Sequence, residues 1–281
     1  MPLIDVCYVK GRSGATTAAV GLAAVMPASA RAVVVECDPA GGDLTLRHGL
    51  KSSSPGLVEL ATATRTGGHG SGAAIGDADG GDTLSRFAQP IRIGDRTVEV
   101  VVAPSGGAQT RVALSVLARP GHGALIPVDR TVVADCGRLD FSSPTWPLLG
   151  MADAVLVLAR GRVDELGHLR EHIGELVRQV TGRLVVMLVA GGVYGAADVQ
   201  AHLHWHLTER LELPADTVEV RELLPYDERA AAVLEGSRRA ERRWRRWPLM
   251  VALWQLAADL PLAGQATVAS GAGIGADVEV R

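Results

Sequence analysis

The sequence predicts an α/β protein: a doubly wound, mostly parallel sheet flanked by helices, with a hairpin at one edge. Three observations lead there. Short β-branched runs alternate with longer stretches of helical spacing, the pattern of βαβ units. Several of the short runs are apolar almost throughout, as strands buried on both faces must be. A glycine-bearing turn, Lys10 to Thr17, separates the first of these runs from an alanine-rich helical stretch.

In chain order, Leu3–Val9 is the first expected strand and Thr16–Met26 the first helix, rich in the best helix former. Ala32–Cys37 is the second strand, stopped by Asp38-Pro39. Residues 66–82 hold many glycines and few large apolar groups, so a mobile surface insertion is expected there. Ile91–Thr97, with Gly94-Asp95 at its centre, reads as a hairpin that adds an antiparallel edge strand. Thr97–Ala103 and Thr131–Asp135 are strands on either side of a helix at Gln109–Ala118. Strands Ala154–Ala159, Leu184–Val189 and Thr217–Val220 then alternate with helices Val163–Val180, Ala196–Leu211 and Asp227–Glu235. No repeat and no second composition regime appears. One domain is expected over 1–263, with a basic segment at 237–247 and a disordered tail at 264–281.

The hydrophobic content of 47% with 21% charged residues is that of a soluble globule. A net charge of −3 excludes a global pull toward nucleic acid or anionic membrane, so such binding needs a local patch. Cys7, Cys37 and Cys136 are odd in number and form no C-x-x-C, against a disulfide framework or a zinc or iron–sulfur site. They read as buried, reduced thiols. No secretory leader is evident at the N-terminus, and no apolar run approaches the ~20 residues of a membrane span. The expectation is a cytoplasmic protein, with peripheral placement at a membrane or nucleoid left open.

Strand, glycine loop, helix is the setting of a phosphate-binding loop. Gly11 and Gly14 let the backbone curl its N–H groups inward, and the helix N-terminus adds partial positive charge. Thr16 is placed to offer a hydroxyl to magnesium. Ala15 stands where the loop's lysine is expected, so hydrolysis is in doubt. In doubly wound sheets ligands bind beyond the carboxyl ends of the strands, where the loops at 10–16, 38–43 and 135–144 would converge. Glu36-Cys37-Asp38-Pro39 ends the second strand with two carboxylates able to orient water. Val132-Val133-Ala134-Asp135 is an apolar strand closed by an aspartate suited to magnesium.

In this order the motifs resemble the MinD/ParA group (SIMIBI class) of P-loop ATPases. Lys10-Gly11-x-x-Gly14-x-Thr16-Thr17 is similar to their deviant Walker A loop, K-G-G-x-G-K-T-T. Glu36-x-Asp38-Pro39 is similar to D-x-D-P, and Asp135 falls at the Walker B position. Ala152-Asp153-Ala154-Val155-Leu156-Val157 and Leu224-Pro225-Tyr226-Asp227 match two further segments. The resemblance spans Leu3 to Leu260. It implies ATP and Mg2+ as cofactors, held by Lys10, Gly11, Arg12, Ser13, Gly14, Ala15, Thr16 and Thr17. It implies Lys10 as the lysine that reaches a partner's nucleotide, so a homodimer when nucleotide binds. Thr16, Asp38 and Asp135 would serve the metal, with Asp38 also positioning the attacking water; Pro225, Tyr226 and Asp227 would lie near the adenine.

The departures are Ala15 at the lysine position, Glu36 at the first aspartate, and Ala190-Gly191-Gly192 where a base-reading asparagine often stands. Such degenerate loops resemble the TadZ/CpaE-like branch, which places pilus-assembly machinery. The functional expectation is a positioning or chromosome-partitioning protein that dimerises around Mg-ATP, a weak ATPase at most. The alternative is a nucleotide-independent pseudo-ATPase adaptor in a localisation, pilus or secretion complex. An iron-protein reductase is disfavoured for want of suitable cysteines.

Two other features stand out. His202 and His206 share a helix face, as do His168 and His172, but without the glutamate of H-E-x-x-H they read as an exposed face. Arg238, Arg239, Arg242, Arg243, Arg245 and Arg246 form the one concentrated basic segment, a candidate contact with DNA or membrane, or the start of a last core helix. The run after Pro248 reads as that core helix.

Overall fold

The computed structural model describes residues 2–11, 13–67, 83–119, 123–127 and 129–262. The strands are β1 (Leu3–Tyr8), β2 (Val33–Glu36), β3 (Gln89–Ile93), β4 (Arg96–Val101), β5 (Val132–Arg138), β6 (Ala154–Arg160), β7 (Arg183–Val189) and β8 (Val218–Leu224). Between them run α1 (Ala15–Val25), α2 (Leu44–Arg47), α3 (Leu57–Gly67), α4 (Thr83–Phe87) and α5 (Gly107–Leu117). The second half adds α6 (Trp146–Met151), α7 (Val163–Gln179), α8 (Ala196–Leu211), α9 (Glu228–Leu234) and α10 (Pro248–Asp259).

The strands join in one sheet, β3-β4-β2-β5-β1-β6-β7-β8. All neighbours are parallel except the β3–β4 hairpin. The antiparallel pair sits at the edge, where the Gly94-Asp95 turn predicts it. Strand β1 lies between β5 and β6, so whatever follows β1 is flanked by the ends of both.

Alternation along the strands divides the core into two layers. Leu3 and Cys7 of β1 face the layer filled by Leu57 and Leu60 of α3, Leu114 of α5, Ile173 of α7 and Leu203 of α8. Ile4 and Val6 face the opposite layer, filled by α1, by Val233 of α9 and by Leu253 and Leu256 of α10. Each large apolar side chain removed from water this way stabilises the fold by roughly 1.5–3 kcal/mol. The small residues of α1 let it lie close to the sheet, and eight of its residues are buried.

The expected strands are all present, with shifted ends. β5 runs beyond Asp135 to Arg138, and β8 runs to Leu224 rather than Val220. The extension of β8 carries charges because it is the free edge, and Arg221 there bridges Glu219 and Asp259. Helices α2, α4 and α6 are too short to show a period. α3 did carry one, with Leu57, Leu60, Ala61 and Thr64 all buried. It also takes in Thr66 and Gly67 from the expected insertion; the rest of that insertion, and the expected tail at 264–281, lie outside the described residues. Among the described residues no helix is long and apolar enough to cross a membrane.

Candidate functional site

The loop after β1 has the curled backbone its glycines suggest. Gly11 and Gly14 adopt φ of +86° and +78°, a region L side chains rarely enter, and Gly14 caps the N-terminus of α1. Ala15 is the first residue of that helix and is buried. Lys10 is exposed, Ser13 buried, and Arg12 lies outside the described residues. The Thr16 hydroxyl stands close enough to Asp135 to favour its carboxylate. Thr17 turns the other way and donates to Glu235 at the end of α9, at 3.2 Å.

Asp135 is buried in the middle of β5, three residues before the strand's end, and its carboxyl is pushed up to about 7. Burial is the main cause; the Thr16 hydroxyl counteracts it, and the negative fields of Glu36 and Asp38 add to it. Asp38 is half-buried and accepts the Ala40 N–H at 2.8 Å. Burial also raises its pKa, with Ala40 and Arg111 opposing. Its carboxylate lies across Gly137, where a Cβ would stand 2.0 Å from Asp38 Oδ2; with φ at +60° as well, only glycine fits there. Thr16, Asp38 and Asp135 thus form one corner.

Glu36, the other acid of the β2 end, has a different task. It accepts backbone N–H groups of Asp43, Leu44 and Ala103 at 2.7, 2.8 and 2.9 Å, pinning the 41–44 turn to the chain after β4. Below the corner, Asp5 of β1 is fully buried, its oxygens finding no partner beyond the weak Cys136 thiol, and burial pushes it up to about 8. Cys7, Cys37 and Cys136 are free, buried thiols, all raised by burial.

The corner fits magnesium. Among the described residues no three His, Cys, Asp or Glu side chains form a ready metal cage. Magnesium does not ask for one, since it keeps several waters and takes one or two protein oxygens plus phosphate oxygens. A threonine hydroxyl beside a carboxylate is such a donor set.

A cavity of about 400 Å³ runs from Ser13, Gly14 and Thr17 to Pro225, Tyr226, Asp227 and Glu228. Arg160, at the end of β6, is the single cation among the described residues lining it. The acids there are already engaged: Asp227 caps α9 through the Ala230 N–H, Glu228 accepts the Tyr226 hydroxyl, and Glu235 accepts Thr17. A neighbouring hollow of about 390 Å³ opens beside Ala190, Gly191 and Gly192, which present no side-chain amide.

Two residues of the site were not foreseen. Glu165, buried in the first turn of α7, stands against the loop: a Cβ on Gly11 would lie 2.6 Å from its Oε1. Arg160 pairs with it at 3.7 Å. Their signal was only positional, since the loop after β6 also opens at the carboxyl edge of the sheet.

Of the histidines, His172 corrects the expected exposed face: it is buried, with Phe141 stacked on it at 4.1 Å, while His202 is exposed. The run after Pro248 is a core helix, and Trp244 and Trp247 are buried with it. All six arginines before it are exposed around an open hollow of about 1220 Å³. Arg245 and Trp244 tie this segment to Asp95 in the β3–β4 turn, at the amino edge of the sheet, away from the loop.

The fold is the one that solved ATPases of the ParA/MinD type share. Particular likenesses are to a ParA family ATPase from Chlorobium tepidum TLS (13% identity, 92% of this chain and 97% of that one, TM-score 0.62). An ATP complex of an McdA variant from Cyanothece is also similar (18%, 92% and 95%, TM-score 0.58). So is the septum site-determining protein MinD with Mg-ADP from Pyrococcus horikoshii OT3 (14%, 91% and 94%, TM-score 0.56). At such identities the likeness speaks for the fold. No protein-family profile and no curated protein sequence matches the chain.

Proposed function

We propose that the chain is a nucleotide-binding positioning or partitioning protein of MinD/ParA type, which dimerises around Mg-ATP with weak or no hydrolysis. The observation that carries this reading is the Thr16–Asp135 pair standing beneath a correctly curled Gly11–Gly14 loop, although Ala15 has replaced the lysine. Backbone N–H groups of residues 11–17 would hold phosphates, and Thr16 with Asp135 would hold magnesium, which supplies charge neutralisation there. Asp38, across Gly137, would orient water. Lys10, exposed at the rim, would meet a partner subunit; Pro225, Tyr226 and Asp227 would bound the base. Without an ammonium group at position 15 the developing charge of phosphoryl transfer is poorly met, so turnover should be slow. That solved structures of this fold include an ATP complex and a Mg-ADP complex supports the reading. The six exposed arginines would give it a surface for DNA or anionic membrane.

One observation favours the adaptor reading: among the described residues, three carboxylates and a single guanidinium line the cavity. Calorimetry with Mg-ATP and Mg-ADP separates the two. Binding in the micromolar range with a doubling of mass in light scattering is the expected result. No heat at millimolar nucleotide would leave the adaptor standing.

A further inference from the structure

The loop lost its cation at position 15, yet the cavity it opens into keeps one. Arg160 ends β6, the strand beside β1, and shares the cavity wall with Ser13, Gly14 and Thr17. It is held there twice by Glu165: its backbone N–H donates to Oε2 at 2.8 Å, and its Nη1 lies 3.7 Å from Oε1. Glu165 in turn packs on Gly11, and the Ser13 hydroxyl lies 3.5 Å from Oε2. The loop, the carboxylate and the guanidinium are therefore one connected unit. The Glu228 carboxylate raises the Tyr226 pKa while the Arg160 charge pulls it back, so the guanidinium also acts on the far wall.

We infer that Arg160 supplies the cationic contact to the nucleotide polyphosphate that Ala15 no longer gives, with Glu165 as its positioning residue. This rests on the nucleotide reading above. Four facts point to it: Arg160 is the single cation among the described lining residues; its side chain is about one-third exposed, so it reaches the cavity; its partner is fixed in a helix start; and a guanidinium suits phosphate oxygens better than a point charge does. An arginine arriving from the side would bind the ground state without following the transferred phosphoryl group. Such a site binds and switches more readily than it hydrolyses.

The test is a double-mutant cycle read by calorimetric or fluorescent-nucleotide binding. Arg160→Gln should weaken Mg-ATP about tenfold or more, and Arg160→Lys should restore part of it. In the Ala15→Lys background the same Arg160→Gln change should cost only about twofold, because the loop lysine has resumed the role. Circular dichroism of each variant checks that the fold is kept. If Arg160→Gln leaves Mg-ATP affinity unchanged, or loses the same factor in both backgrounds, the inference is wrong while the nucleotide reading survives. If the wild type binds no nucleotide at millimolar concentration, the nucleotide reading fails and takes the inference with it.

Discussion

The two ends of the cleft have fared differently. At the corner Thr16, Asp38, Asp135 and Gly137 interlock: a hydroxyl beside a carboxylate, and a second carboxylate laid where no Cβ could stand. At the ends proposed for phosphate and base, Ala15 stands at the start of α1 and Ala190, Gly191 and Gly192 follow β7. Around Gly14 a Cβ would touch nothing within 4 Å. Tight packing at one end and open space at the other indicate what each end can still discriminate. On the proposed reading the corner would serve a cation, whereas the open end would read a base only through neighbours such as Gln255 and Glu222.

The largest expected effect breaks or confirms the corner. Asp135→Asn should weaken magnesium-dependent nucleotide binding about 100-fold, near 3 kcal/mol, and leave binding in EDTA little changed. Equal affinity of the variant and wild type in magnesium would make the corner a packing feature alone. Second, the packing contrast is measurable by urea unfolding. Gly137→Ala should cost roughly 2–3 kcal/mol, from strain at φ +60° and expulsion of Asp38, whereas Gly14→Ala should cost about 1 kcal/mol from backbone strain alone.

Third comes the charge beneath the corner. Asp5 has a folded pKa of about 8 against an ordinary 3.8, so it binds its proton more tightly when folded. Its contribution is complete below about pH 4 and is lost as pH rises toward 8. Asp5→Asn should flatten that slope and raise unfolding stability at pH 8 by about 1–3 kcal/mol, with little change at pH 4. A steeper slope in the variant would refute the burial argument. Smallest of all, the open base end should distinguish ATP from GTP by less than about fivefold in competition binding. A hundredfold preference would show that Tyr226 or backbone groups read the base after all.

Much of this was legible in the sequence. Apolar β-branched runs gave strands because the sheet buries both faces, and β1, its glycine loop and α1 are consecutive, so their relation is local. Asp38 was legible because it follows the carboxyl end of β2, while Asp135, expected to end its strand, proves to lie within β5. Glu36 shows the limit: the same position signalled chemistry, yet its carboxylate is used up by three backbone N–H groups. His172 shows it again, since a helix period does not reveal which loop lays a Phe141 ring over one face.

By itself, then, the sequence determined the alternation, the strand–loop–helix turn and the acids toward the carboxyl side of β2 and β5, each a pattern within a few residues. Only the tertiary structure decided which distant groups meet that turn. Glu165 and Arg160 reach it because β6 pairs with β1 across some 150 residues of chain, and Glu235 reaches Thr17 because α9 packs beside α1. Periodicity fixes which way a side chain faces along its own strand or helix. Which strand lies next door is set by burial of the whole sheet, and that choice placed a guanidinium beside a loop that carries alanine at position 15.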